Sequence, residues 1–128
     1  MRIHYNRHED ASMFKLAQSY AQLEQFEKAR ETYQRVSELF TGYYNDRAKK
    51  ELNELDNGLK KTAELEQQLT DQIDDEQRID ILSVIARTYR YKVNCYKKAK
   101  SYYQSILKLS TSEYEKERIQ EYIKEMGN

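Results

Sequence analysis

One ordered set of eight positions occurs twice in this chain. Met13, Leu16, Ala17 and Tyr20 lead to Phe26, Ala29, Tyr33 and Val36 in the first copy. Leu82, Ile85, Ala86 and Tyr89 lead to Tyr96, Ala99, Tyr103 and Ile106 in the second. Within each half the spacings are those of one helix face. Each helix carries a small residue mid-face, where two backbones can close to roughly 8–10 Å. The offset between copies is 69 residues over the first four positions and 70 over the last four. The second turn is therefore one residue longer. Two matched helical hairpins confine the chain to a stacked array, an architecture suited to holding another chain.

Composition agrees. There is no proline, and the three glycines are Gly42, Gly58 and Gly127. A β-rich fold needs more turn chemistry than that, so an all-α chain is expected. Asn6 and Glu9 can form a capping box that opens a first helix reaching about residue 24. A second helix carries Phe26 to Phe40 and stops at Thr41-Gly42. A third runs from Tyr43 to Leu55. Asp56-Asn57-Gly58 is the sharpest break signal in the chain. A fourth follows, with Leu59, Ala63, Leu69 and Ile73 along one stripe. Asp74, with Gln77 three residues on, caps a fifth. Tyr96 to Leu107 lie on a sixth, and Ser110 with Glu113 opens a seventh that ends at Gly127. The expected architecture is one domain of about seven antiparallel helices. It comprises a repeat at 10–43, an irregular hairpin at 44–74, a repeat at 79–110 and a capping helix at 111–126.

The formal net charge is zero, but the charges are sorted along the chain. Residues 51–80 hold three Lys/Arg and ten Asp/Glu, whereas residues 81–112 hold seven Lys/Arg and no acid. Such a split favours docking to a charged partner, or to a second copy through acidic and basic faces as a homodimer. Basic residues interleaved with tyrosines at 87–108 also admit an alternative, a nucleic-acid-associated helical protein. The neutral total argues against that alternative.

No His-based triad, glycine-rich phosphate loop or CxxC pair is present, so no catalytic residue, metal or cofactor is expected. His4 and His8 are spaced to share a metal on one helix face, but a closed site needs four ligands. Cys95 is the sole cysteine and reads as a buried structural thiol. No apolar run is long enough to span a membrane, and the charged N-terminus is unlike a secretory leader. A cytoplasmic protein is the expectation.

The two eight-residue sets resemble the tetratricopeptide repeat, a helix–turn–helix unit of 34 residues. Both lack the family's proline after the second helix, and Glu24 lies near the place of the turn glycine. The resemblance implies a superhelix that binds a partner peptide or helix in a concave groove lined by the first helix of each unit. Projected onto this chain, the groove takes Phe14, Gln18 and Gln22 from one unit and Arg87, Arg90 and Tyr91 from the other. That mixture suits a peptide with an apolar anchor and an acidic end. Where some members grip a chaperone tail with Lys and Asn, this chain has Phe14 and Gln18, so that clamp is not expected. In architecture alone the chain is also similar to secretion chaperones and to peptide-sensing bacterial regulators. It lacks the effector domain of such regulators and would be a fragment or stand-alone relative.

Overall fold

The computed structural model describes residues 8–127 and is all-helical across them. The helices are α1 (Glu9–Gln22), α2 (Phe26–Leu39), α3 (Tyr43–Glu66), α4 (Asp75–Thr88), α5 (Tyr96–Leu109) and α6 (Glu113–Glu125). A π-helical turn, Tyr89–Val93, extends α4. The Asn6–Glu9 box and His4 of the histidine pair involve residues outside the described range.

Helices α1 and α2 form one hairpin, and α4 and α5 form the other. In both, the small residues meet as their spacing predicts: Ala17, Ala29, Ala86 and Ala99 are fully buried. Tyr33, Val36, Tyr103 and Ile106 fill the space beside them. The two turns are built alike. Glu24 and Asn94 each adopt φ of 62°, a left-handed conformation that asparagine tolerates better than glutamate. The Gln25 N–H donates to the Tyr20 carbonyl at 2.8 Å, and the Cys95 N–H donates to the Tyr89 carbonyl at 2.9 Å. The second loop spans one more residue, and the chain absorbs it by widening the last turn of α4 into a π-helix.

The expected break at Asp56-Asn57-Gly58 is absent. Tyr43–Glu66 is one continuous helix, so there are six α-helices among the described residues rather than seven, and a single helix stands where the irregular hairpin was expected. Packing explains the difference. Asp56 accepts hydrogen bonds from the guanidinium of Arg30 on α2, at 2.6 Å. Gly58 lies under the π-turn, where a Cβ would come within 2.8 Å of Val93 Cγ2. Its missing side chain permits close approach and does not end a helix. Buried Gly58 and Thr62, rather than exposed Ala63, continue the inner face.

Helix α3 is therefore the spine that joins the hairpins. It packs against α1 and α2 and also against α4 and the π-turn. Buried Asn45 donates to the carbonyls of Ser37, at 2.5 Å, and Phe40, at 2.7 Å, closing the C-terminus of α2. Gly42, at φ 97°, makes the corner between α2 and α3. Farther along, Glu51 accepts from the Asn94 side chain at 2.9 Å, tying α3 to the second turn. Thr62 lies 3.5 Å from the Tyr89 hydroxyl, and Tyr102 bonds Glu66.

Helix α4 starts with the expected box: the Gln77 N–H donates to Asp74 at 2.8 Å, and the Asp74 N–H donates to Gln77 at 3.1 Å. Helix α6 starts two residues later than expected. Ser112 caps it by accepting from the Glu115 N–H, while Ser110 is buried in the turn. Ile119 and Met126 seat α6 on the array. Among the described residues no helix is long and apolar enough to cross a membrane.

Candidate peptide-binding cleft

The structure distributes the six expected groove residues among three roles. Phe14 is 1% exposed and belongs to the core. Its ring lies 5.5 Å from those of Tyr33 and Tyr44, with the Arg47 guanidinium over it at 4.6 Å. Leu16, expected inside, is 47% exposed. The apolar stripe of α1 is broad enough to be read on either side of Ala17. Helix α3 decides the matter by bringing Tyr44 and Arg47 onto the Phe14 side.

Gln22 is a tertiary cap. Its side-chain oxygen accepts from the Tyr96 N–H, the first of α5, at 3.0 Å. The Cys95 thiol, fully buried beside it, points at the Gln22 carbonyl at 3.8 Å. Burial pushes this thiol's pKa up, which suits an inert structural role. Gln18 is half-buried and lines a shallow concavity with Gln22, Leu23 and Tyr96. Arg90 is committed elsewhere as well. It pairs with Glu125 of α6 at 2.8 Å, its side chain is 12% exposed, and it lies over the Tyr91 and Tyr122 rings.

Arg87 and Tyr91 remain, and they are brought together. A cleft of about 510 Å³ opens between the second half of α3 and the α4–π-turn segment. Its α3 wall comprises Glu54, Asn57, Gly58 and Lys61, and its α4 wall includes Val84, Arg87, Thr88 and Tyr91. Arg87 donates to the Ser83 carbonyl of its own helix, at 3.3 Å. Among the described residues neither Arg87 nor Lys61 has a carboxylate partner. Lys92 is largely offset by Glu54 at 3.6 Å. Tyr91 is 58% exposed beside these cations. The cleft therefore presents two positive charges without a carboxylate partner among the described residues and one exposed aromatic side chain. Lys61, Gly58 and Asn57 lay beyond the sequence reading, because a helix break was assigned to the residues that form this wall.

The basic segment 87–108 is largely engaged within the molecule. Lys97 reaches Glu24 at 4.0 Å, Lys98 lies over the Tyr89 ring at 5.8 Å, and Lys100 bonds the Gly127 carbonyl. Tyr102 is stacked on Tyr89 at 5.7 Å, and Tyr103 is buried.

Residues 11–41, the first hairpin, match the family model described as Tetratricopeptide repeat. Together with the all-helical fold, the match supports a tetratricopeptide-repeat-like helical architecture. Repeats of this family suggest a protein–protein interaction scaffold in general, typically without catalysis. No curated protein and no solved structure matches the chain.

Proposed function

We propose that this protein is a non-catalytic adaptor whose α3–α4 cleft takes a short segment of a partner protein. The segment carries one apolar or aromatic anchor and at least one carboxylate. The observation that carries this reading is the meeting of exposed Tyr91 with Arg87 and Lys61, cations without a carboxylate partner among the described residues, in one concavity. Arg87 can fork onto a carboxylate. The Tyr91 ring offers flat apolar area at low entropic cost. The size is ordinary for a ligand site.

Selection from a displayed random-peptide library tests the reading. The peptides recovered should combine an acid with an aliphatic or aromatic residue. A synthesised peptide should bind with affinity of about micromolar, near the weak end of specific interfaces. Arg87→Glu or Tyr91→Ala should weaken it at least tenfold, while Gln18→Ala should leave it unchanged. Recovered peptides without acids, or binding indifferent to both cleft variants, would sink the proposal.

A further inference from the structure

Arg87 borders two concavities. One is the α3–α4 cleft, and the other, of about 390 Å³, lies between α4 and α6. The second is lined by Ser83 and Arg87 of α4 and by Tyr114, Glu115 and Arg118 of α6, with Ser112 at the N-cap of α6. A segment that reaches Arg87 from the cleft and continues past its guanidinium therefore meets the α6 wall.

The two concavities differ in charge. Besides Arg87, the α6 side holds one cation, Arg118, and one acid, Glu115. Three residues apart, these two share a helix face. Among the described residues no ion pair joins them. Arg118 donates instead to the Tyr122 hydroxyl at 2.5 Å, and its guanidinium lies over the Tyr114 ring at 5.7 Å. Lys116, the other cation of this turn, pairs with Glu113 at 3.6 Å. Glu115 is half-buried, and no cation pairs with its carboxylate among the described residues. A guanidinium donor and a carboxylate acceptor thus stand side by side in one concavity, each open to a third group. An acidic side chain placed there gains from Arg118 and loses to Glu115, and a basic one does the reverse. A carboxamide suits both, because its oxygen accepts from Arg118 while its NH₂ donates to Glu115.

We infer that the partner segment seated in the α3–α4 cleft runs over Arg87 into the α4–α6 concavity and places an asparagine or glutamine side chain between Glu115 and Arg118. This placement rests on the cleft reading, since Arg87 is the contact common to both surfaces. It fixes the order of the groups that the partner presents: the apolar anchor against Tyr91, the carboxylate on Arg87 and the carboxamide beside α6.

Calorimetric titration of the full chain tests it, with peptides selected on the wild-type protein from a displayed random library. The recovered peptides should carry Asn or Gln at a constant spacing on one side of the acid. Replacing that residue by alanine should weaken binding about three- to tenfold, as expected for one exposed hydrogen-bonded contact. Glu115→Ala and Arg118→Ala should each weaken the parent peptide by a similar factor and leave the alanine-substituted peptide unaffected. Unchanged helical circular dichroism and thermal midpoint establish that both variants are folded. Arg87→Glu should weaken both peptides. Peptides that need Arg87 and Tyr91 but carry no recurrent carboxamide overturn the inference and leave the cleft reading standing, as do peptides indifferent to both α6 variants. Binding indifferent to Arg87→Glu and Tyr91→Ala removes both.

Discussion

Gly58 and Val93 meet so closely that a single methyl group does not fit between them. A Cβ on Gly58 would lie 2.8 Å from Val93 Cγ2, with Thr88 and Lys92 carbons at 3.4 Å behind it. In an exposed helix interior, glycine to alanine is worth about 1 kcal/mol in favour of alanine. Overpacking a tight contact costs typically ~1–3 kcal/mol, and a β-branched valine has little rotamer freedom to yield. Gly58→Ala should therefore destabilise the protein by on the order of 1 kcal/mol instead of stabilising it. In a Val93→Ala background the same change should cost nothing or help. Urea midpoints of the four proteins measure this, and a stabilised single variant would remove Gly58 from its role as a packing glycine.

Arg90 and Glu125 hold α6 against the π-turn, with the Arg90 side chain only 12% exposed. Truncating Arg90 removes both the ion pair and the packing of its guanidinium over the Tyr91 and Tyr122 rings, while Glu125, 47% exposed, stays hydrated. Arg90→Ala should cost about 1–3 kcal/mol and should loosen α6 ahead of the rest. Amide hydrogen exchange is the measurement. Faster exchange confined to Ile119–Glu125 is expected, and uniform protection across α6 would argue that Ile119 and Met126 suffice to seat it.

Asn45 spends both side-chain N–H groups on α2 carbonyls. Asn45→Ala removes both of these donors from the corner between α2 and α3. A loss of about 1–3 kcal/mol follows from buried hydrogen-bond energetics. Asn45→Asp should be at least as costly at neutral pH, because a carboxylate cannot donate. Thermal unfolding of the pair decides; an aspartate variant as stable as wild type would contradict the donor role.

The pH dependence is set in part by Glu51. Burial raises its pKa, and neighbouring Glu54 adds to the rise, against the hydrogen bond from Asn94. A carboxylate with a folded pKa above its unfolded value penalises folding when ionised. Its penalty is present at neutral pH and disappears as pH falls through the folded pKa toward the ordinary glutamate range. Glu51→Gln keeps an oxygen for Asn94 and removes the charge. Its urea midpoint should exceed the wild-type value at pH 7.5, and the difference should vanish near pH 4. A variant that is less stable at pH 7.5 would show that the charge itself is needed there.

The repeat was legible because Ala17, Ala29, Ala86 and Ala99 act between sequence neighbours, where spacing alone fixes which faces meet. Its one-residue difference in turn length was legible too. That the extra residue becomes a π-turn was not, since the accommodation depends on Gly58 lying beneath Val93. The Asp-Asn-Gly signal misled for the same reason: local turn preference is weak, and contacts to Arg30 and the π-turn outweigh it. Phe14 and Leu16 differ by two positions on a broad stripe, and only α3 distinguishes them. The exposure of Arg87 and Tyr91 was legible because it follows from helical phase. Arg90 was misplaced because its partner lies 35 residues away on α6. Lys61 was missed because it lies on the far side of a break that does not exist.

The central claim is that the α3–α4 cleft is where a partner segment binds. Amide chemical-shift mapping of the labelled full chain, titrated with a library-selected acidic peptide, tests it most directly. The account predicts the largest shifts at Asn57, Gly58, Lys61, Val84, Arg87 and Tyr91, lost together in the Arg87→Glu variant. Shifts centred on Gln18, Leu23 and Tyr96, or persisting unchanged in that variant, would contradict it.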